Sequence, residues 1–193
     1  MTITASQIFT IEEYLELEAH SLTKHEYHNG KLIEMAGGTT THNQLMMTVG
    51  AEILIAIRGQ EKVFHLYSSD MKIWVEKFNR FLYPDAVTIA LKPELYNNRR
   101  DIITNPLLVV EVTSPSSQGY DNNSKFGYYR SIPSFSEYLL VSQEQHHVSR
   151  FFREAPDLWR TSDYDSLEDM IPLQSMGLEI PMLGIYKGVD LNP

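Results

Sequence analysis

The sequence predicts an α/β (α+β) domain: a central mixed β-sheet flanked by helices, with an extra N-terminal helix and hairpin and a C-terminal hairpin. Three observations predict it. Hydrophobic residues are 42% and charged residues 21% of 193 residues, a globular balance in a length that suits one domain, 1–193. Strand-like and helix-like periodicities are interspersed along the chain. Strands are separated by hairpins early and by one helix late, which calls for a mixed sheet. No internal repeat, low-complexity stretch or Gly/Ser-rich linker divides the chain.

The elements follow in order. Thr10-Ile11-Glu12-Glu13 is a capping box that opens a helix to about His20. Residues 24–35 hold two short strand-like runs around Asn29-Gly30, a strong hairpin-turn pair. After Gly37-Gly38, a longer helix is expected from Thr41 to Arg58. Its apolar residues Leu45, Val49, Ile53 and Ile57 recur every four, and Gly59 stands where a helix ends. Runs rich in β-formers follow at 63–67, 71–75 and 81–91. The polar segment 92–105 contains Asn97-Asn98-Arg99-Arg100-Asp101 and reads as a mobile loop. Residues 106–113, Pro-Leu-Leu-Val-Val-Glu-Val-Thr, read as a central buried strand. Residues 114–120 read as a turn, with Asp121 capping a helix over 122–131. Residues 137–142 form another buried strand, and 148–153 with 159–161 a terminal hairpin. Residues 171–187 are weakly patterned.

Composition excludes several function classes. The chain has no cysteine, so there is no disulfide scaffold, zinc-thiolate site, iron–sulfur cluster or cysteine nucleophile. No apolar run reaches the ~18 residues of a membrane span, and Glu12 and Glu13 stand where a signal peptide would be basic and then apolar. The expectation is a cytoplasmic protein without membrane contact. The net charge of −9 argues against tight non-specific nucleic-acid binding, which comes mainly from neutralising phosphates. It is compatible with a metal-dependent enzyme, whose site must itself be acidic.

The informative residues are acids in apolar runs. Glu111 interrupts Leu-Leu-Val-Val-Glu-Val, and a carboxylate is almost never fully buried without a partner. Asp85 follows Pro84 at a similar place in residues 81–90. Two adjacent strands that each present one carboxylate can share a divalent ion, and Mg²⁺ takes only one or two protein carboxylates and keeps its waters. Lys125, near the start of the next helix, is placed to reach back over the sheet edge and activate a water.

Tyr83-Pro84-Asp85, residues 106–117 around Glu111, Tyr120-Asp121 through Lys125 to Tyr129, and Glu137-Tyr138-Leu139-Leu140-Val141 together resemble the restriction-endonuclease family called Uma-two, a bacterial branch of the PD-(D/E)xK nuclease-like superfamily. An earlier block, His25-Glu26 through Met35 and then His42, resembles the same family. The resemblance spans residues 11–153. It implies a restriction-endonuclease-like core, about 41–142, with the order helix, three strands, helix, strand. It implies Mg²⁺ or Mn²⁺ as cofactor, with Asp85, Glu111 and the backbone carbonyl of Val112 as metal ligands. It implies Asp85, Glu111, Lys125 and Glu26 as catalytic residues, and nucleic acid, DNA in first place, as the partner. Thr113 departs from the superfamily pattern, since many members keep their lysine two residues after the second acid. The resemblance implies that this role falls to Lys125.

Plainer readings compete for each residue. Asp85 could be a turn acid and Glu111 half of a structural ion pair. Lys125 could be solvated, and Glu26 could pair with Lys24 or Lys31 across its hairpin. His42 reads first as a surface residue, with metal ligation as the alternative. His25, His28, His146 and His147 lack zinc-site spacing. Met46 and Met47 read as core, and Tyr128 and Tyr129 as anchors of the helix on the sheet, one half-exposed. Arg99 and Arg100 are candidates for phosphate contacts, though a solvated loop is the ordinary reading. The function expected is hydrolysis of phosphodiester bonds in nucleic acid by a metal-dependent endonuclease. The alternative is a catalytically lapsed nuclease fold that binds nucleic acid or assembles with partners. Metal-free hydrolysis by paired carboxylates ranks below both. Base rates favour a homodimer.

Overall fold

The computed structural model describes residues 7–113 and 121–191, with backbone alone for 121–123. The elements are α1 (Ile11–His20), β1 (His25–His28), β2 (Lys31–Glu34), α2 (Thr40–Ile57), β3 (Phe64–Ser68), β4 (Lys72–Val75), β5 (Arg80–Leu82), β6 (Ala86–Ala90), β7 (Ile102–Ile103), β8 (Leu108–Thr113), α3 (Asp121–Tyr129), β9 (Glu137–Ser142), β10 (Val148–Ala155), β11 (Leu158–Tyr164), β12 (Met170–Leu173), β13 (Leu178–Pro181) and α4 (Met182–Tyr186). The expected turn at 114–120 and the side chain of Asp121 lie outside the described residues.

Helices α1 and α2 and the first hairpin form for the expected reasons. The Thr10 hydroxyl accepts the Glu13 amide hydrogen and the Glu13 carboxylate accepts that of Thr10, so the capping box is complete. Asn29 and Gly30 both take positive φ, 48° and 96°, the two-residue turn whose twist matches the strands it joins. Helix α2 starts at Thr40 with Thr39 as its cap, and Gly59 follows it at φ 81°.

Six strands form the central sheet, in the order β11-β10-β9-β8-β6-β3. It is mixed: β8 and β9 are parallel, the other pairs antiparallel. Five strands form a second sheet, β2-β1-β5-β4-β7, and β12 pairs with β13. Alternation along β8 divides the molecule into two layers. Leu108, Val110 and Val112 pack with Leu45, Val49 and Ile53 of α2 and with Met182 and Ile185 of α4. Val109 packs the other way, with Tyr129 of α3, Tyr138, and Ile73, Val75 and Leu82 of the five-stranded sheet. Glu111 and Thr113 share that second face by register. A third cluster, Tyr14, Tyr27, Phe81 and Ile102, seats α1 on the five-stranded sheet.

Four expectations need correction. The run 81–91 is not one strand: β5 belongs to one sheet and β6 to the other. Pro84, with no N–H and a fixed φ, stands at the crossing, so Asp85 sits at a strand junction. The segment 92–105 is not a free loop. It holds a 3₁₀ turn at Tyr96–Asn98 and β7, and the Asn105 side chain bonds to Glu94 N and Lys92 O. The weakly patterned C-terminal stretch forms β12, β13 and α4, and it completes the core beyond residue 142. Met47 is 68% exposed rather than core. Among the described residues, no helix is long and apolar enough to cross a membrane.

Candidate active site

The crossing between the sheets gathers the residues that matter. β6 and β8 pair with Ala86 opposite Val110, and one further step of that register sets Asp85 opposite Glu111. Asp85 lies beyond the last paired residue of β6, where its Oδ2 accepts the Val112 amide hydrogen at 2.7 Å. The N–H and C=O of a strand residue point to the same side, so the Val112 carbonyl also turns towards the Asp85 side. His42 Nε2 lies 3.2 Å from Asp85 Oδ2. It is held there because Thr39, the helix cap, accepts the His42 amide hydrogen and gives its own hydroxyl hydrogen to Gln143.

Lys125 reaches back from α3, as its place one turn into the helix suggested. Its Nζ lies 3.0 Å from Glu26 Oε1 and 3.4 Å from Glu111 Oε1, and it donates to the Tyr83 carbonyl at 3.1 Å. Glu26 is therefore not paired across its hairpin with Lys24 or Lys31. Its Oε1 also accepts the Tyr83 amide hydrogen, and its Oε2 meets His28 Nε2 at 3.0 Å. Tyr129 is buried and donates its hydroxyl hydrogen to Glu111 Oε1 at 3.2 Å, while Tyr128 is half-buried. Asp85, Glu111, Lys125 and Glu26 thus come together around the Tyr83–Asp85 crossing.

The electrostatics follow from who touches whom. Burial pushes the Glu111 carboxyl up to about 8; Lys125 opposes this, and Asp85 and Glu26 add to it. Burial also acts on Glu26, but Lys125, His28 and the Tyr83 amide outweigh it and hold that carboxyl down at about 2. The two acids diverge because Lys125 is nearer to Glu26 and because Glu26 collects two further donors. Burial works against the charge of Lys125, yet Glu111 and Glu26 together raise its pKa, so the ammonium persists. The hydrogen bond to Asp85 raises His42, against the pull of burial.

Asp85, Glu111 and the Val112 carbonyl are hard oxygen donors, the chemistry that suits Mg²⁺ or Mn²⁺. Among the described residues, no three His, Asp or Glu side chains already form a cation cage. Mg²⁺ does not require one, since it keeps several waters. Thr113 gives its hydroxyl hydrogen to Val141 O at 3.5 Å and presents no charge. Arg99 is engaged by Asp101 and Arg100 is exposed.

Sequence reading undervalued three residues. His28 sits two after Glu26 on a strand, so alternation alone puts both on one face. Tyr83 supplies backbone, which no residue-type signal reveals. The Asp85 contact of His42 depends on how α2 meets the sheet end.

The comparisons agree with this architecture. The family model Uma2, described as "Putative restriction endonuclease", matches residues 11–183. Two proteins of Synechocystis sp. (strain ATCC 27184 / PCC 6803 / Kazusa), both named as uncharacterized, are similar. The first, sll1609, is 34% identical over 82% of this chain and 89% of its own length. The second, slr1290, is 31% identical over 92% of this chain and 91% of its own. The crystal structure of "a putative nuclease" from Anabaena variabilis ATCC 29413 shares the fold, with a TM-score of 0.71 at 14% identity, over 92% of this chain and 97% of that one. The restriction-endonuclease-like fold expected from the sequence is present, and the chain belongs to the Uma2 family.

Proposed function

We propose that this protein is a metal-dependent endonuclease that hydrolyses phosphodiester bonds in nucleic acid, DNA in first place. Asp85, Glu111 and the Val112 carbonyl would hold Mg²⁺ or Mn²⁺. The observation that carries the reading is one ammonium, Lys125, reaching two acids at the sheet crossing beside a third acid, Asp85. A divalent ion bound there would polarise the scissile phosphate and lower the pKa of a water. Lys125 would orient a water there and offset charge on the phosphoryl oxygens. Glu26 keeps Lys125 ionised and fixed, and His42 and the Val112 amide fix Asp85. The same proposal takes residues 1–193 as one domain acting as a cytoplasmic homodimer.

A second reading, a lapsed nuclease fold that binds without cutting, is favoured by Thr113 in the usual place of the lysine and by the involvement of Lys125 with Glu26. Cleavage of supercoiled plasmid with Mn²⁺ separates the two. The endonuclease reading expects nicking and linearisation by the wild type and none by Asp85→Asn. Binding without any cleavage of single- or double-stranded DNA by the wild type would favour the second reading.

A further inference from the structure

Beside the acidic crossing lies a row of cations and aromatic rings that the proposed catalysis does not use. Across the five-stranded sheet, Lys31 stands opposite His28, and His28 opposite Arg80. Residues directly opposite in antiparallel strands share a face, so the three side chains line up on one side of the sheet. Arg80 donates to His28 Nδ1, and its guanidinium lies over the Tyr128 ring, 4.0 Å from the centroid. Tyr128 meets Phe78 at 5.0 Å between centroids, and the Lys77 ammonium lies 5.8 Å from the Phe78 ring.

The row is fixed at its tips. Lys31 follows the Asn29-Gly30 turn, and Lys77 belongs to the 3₁₀ turn Glu76–Phe78. These two turns are tied together by Asn79 Nδ2 donating to Asn29 Oδ1 and by Asn29 N donating to Asn79 O, each at 2.9 Å. Lys31, Lys77 and Phe78 are exposed. Glu76 flanks Lys77 in its turn, and Glu26, the acid that His28 touches, is already engaged by Lys125. From His28 through Arg80, Tyr128 and Phe78 to Lys77 each member contacts the next, Lys31 joins by register, and the His28–Glu26 contact links the row to the proposed cutting site.

We infer that Lys31, His28, Arg80, Tyr128, Phe78 and Lys77 form the lane along which a nucleic-acid backbone runs into that site. The inference rests on the reading of nucleic acid as substrate, and it adds where the strand lies. A chain of net charge −9 cannot hold phosphates by its overall field, so the contacts must be local. Two exposed ammonium groups flanking a stacked guanidinium and two rings supply local contacts to phosphates and sugars.

Binding of a fluorescein-labelled 30-base-pair DNA duplex and of a labelled single strand, followed by fluorescence anisotropy in EDTA over a range of salt, tests the lane without requiring cleavage. Lys31→Glu and Lys77→Glu should each weaken binding and reduce the slope of log K against log salt by about one. Lys62→Glu is the charge-matched control. Lys62 lies before β3, at the end that pairs with Ala90, the opposite end of β6 from Asp85, and its substitution should leave binding as in the wild type. Both lysines are exposed, so loss of fold does not explain a loss of binding, and circular dichroism checks this. If both variants bind as the wild type does, or if Lys62→Glu weakens binding equally, the lane is wrong even where the wild type cuts plasmid. If the wild type binds neither strand form, the lane is also wrong. If binding depends on Lys31 and Lys77 but no cleavage occurs, the lane stands and the endonuclease reading falls.

Discussion

The Lys125 ammonium lies 3.0 Å from a carboxylate oxygen of Glu26, a residue 99 positions earlier in the chain. The side chains are 16% and 8% exposed. This contact ties the N-terminal hairpin to the helix that follows the central strand, and it joins the two sheets at the site. Glu26 is thereby part of the charged cluster around Lys125 as well as a strand residue.

The Glu26 contact gives folding a pH dependence. The carboxyl is held at about 2 from an ordinary 4.5. A carboxylate with a depressed folded-state pKa stabilises the fold above the unfolded-state value. That contribution is lost as pH falls from about 4.5 through about 2. Melting temperature measured across this window should fall more steeply for the wild type than for Glu26→Gln. Parallel curves would remove Glu26 from the account of acid stability.

Lys125 should matter for rate more than for metal binding. Lys125→Ala should lower the Mn²⁺-dependent cleavage rate by about 10²-fold or more, the scale of losing one electrostatic stabiliser. It also leaves Glu26 without its closest cation, so a lower melting temperature is expected with it. Single-turnover cleavage at a temperature where circular dichroism shows the variant folded separates the two effects. A folded Lys125→Ala that cuts at the wild-type rate would deny the lysine a catalytic role.

Millimolar Mg²⁺ or Mn²⁺ should raise the melting temperature of the wild type, because an ion held by Asp85 and Glu111 would bind the folded site and not the unfolded chain. Asp85→Asn should lose that rise. Its amide oxygen can still accept the Val112 hydrogen, so the strand junction is expected to survive. An equal rise in the variant would mean that the ions bind elsewhere.

Glu137 provides a contrast to Glu111. Both are single acids in apolar strands, and the same reading of buried carboxylates applies to both. Glu137 is fully buried, with Arg150 Nε at 2.6 Å and the Gln174 and Ser175 amides and the Ser175 hydroxyl as further donors. It joins β9 and β10 to the turn between β12 and β13, on the C-terminal side. Arg150→Met should destabilise the fold by about 3–5 kcal/mol, since it leaves a buried charge unpaired. Urea unfolding measures this; a change below about 1 kcal/mol would show that the acid is not dependent on the arginine.

The two acids show what was legible in the sequence. The capping box, the Asn29-Gly30 turn and the apolar strand of Glu111 are local signals, and each element formed where its signal stood. Asp85 and Glu111 stand out because a charge in an apolar run needs a partner, whereas spacing alone leaves Lys125 a solvated helix lysine and only the family resemblance singles it out. The division of 81–91 between two sheets was not legible, because both halves are apolar and β-forming and differ only in what they pair with. The pairing of Glu26 with Lys125 rather than with a hairpin lysine was hidden for the same reason: it depends on the packing of two sheets. The assembly of β12, β13 and α4 onto α2 likewise rests on long-range contacts that weak local periodicity does not announce.

The account turns on whether Asp85 and Glu111 share a cation. A crystal soaked in Mn²⁺, with anomalous diffraction recorded at the manganese edge, measures this directly. The expected result is one anomalous peak between the Asp85 and Glu111 carboxylates, within coordination distance of the Val112 carbonyl. An ordered soak with no peak there, or a peak bound elsewhere with these two carboxylates unmoved, would contradict it.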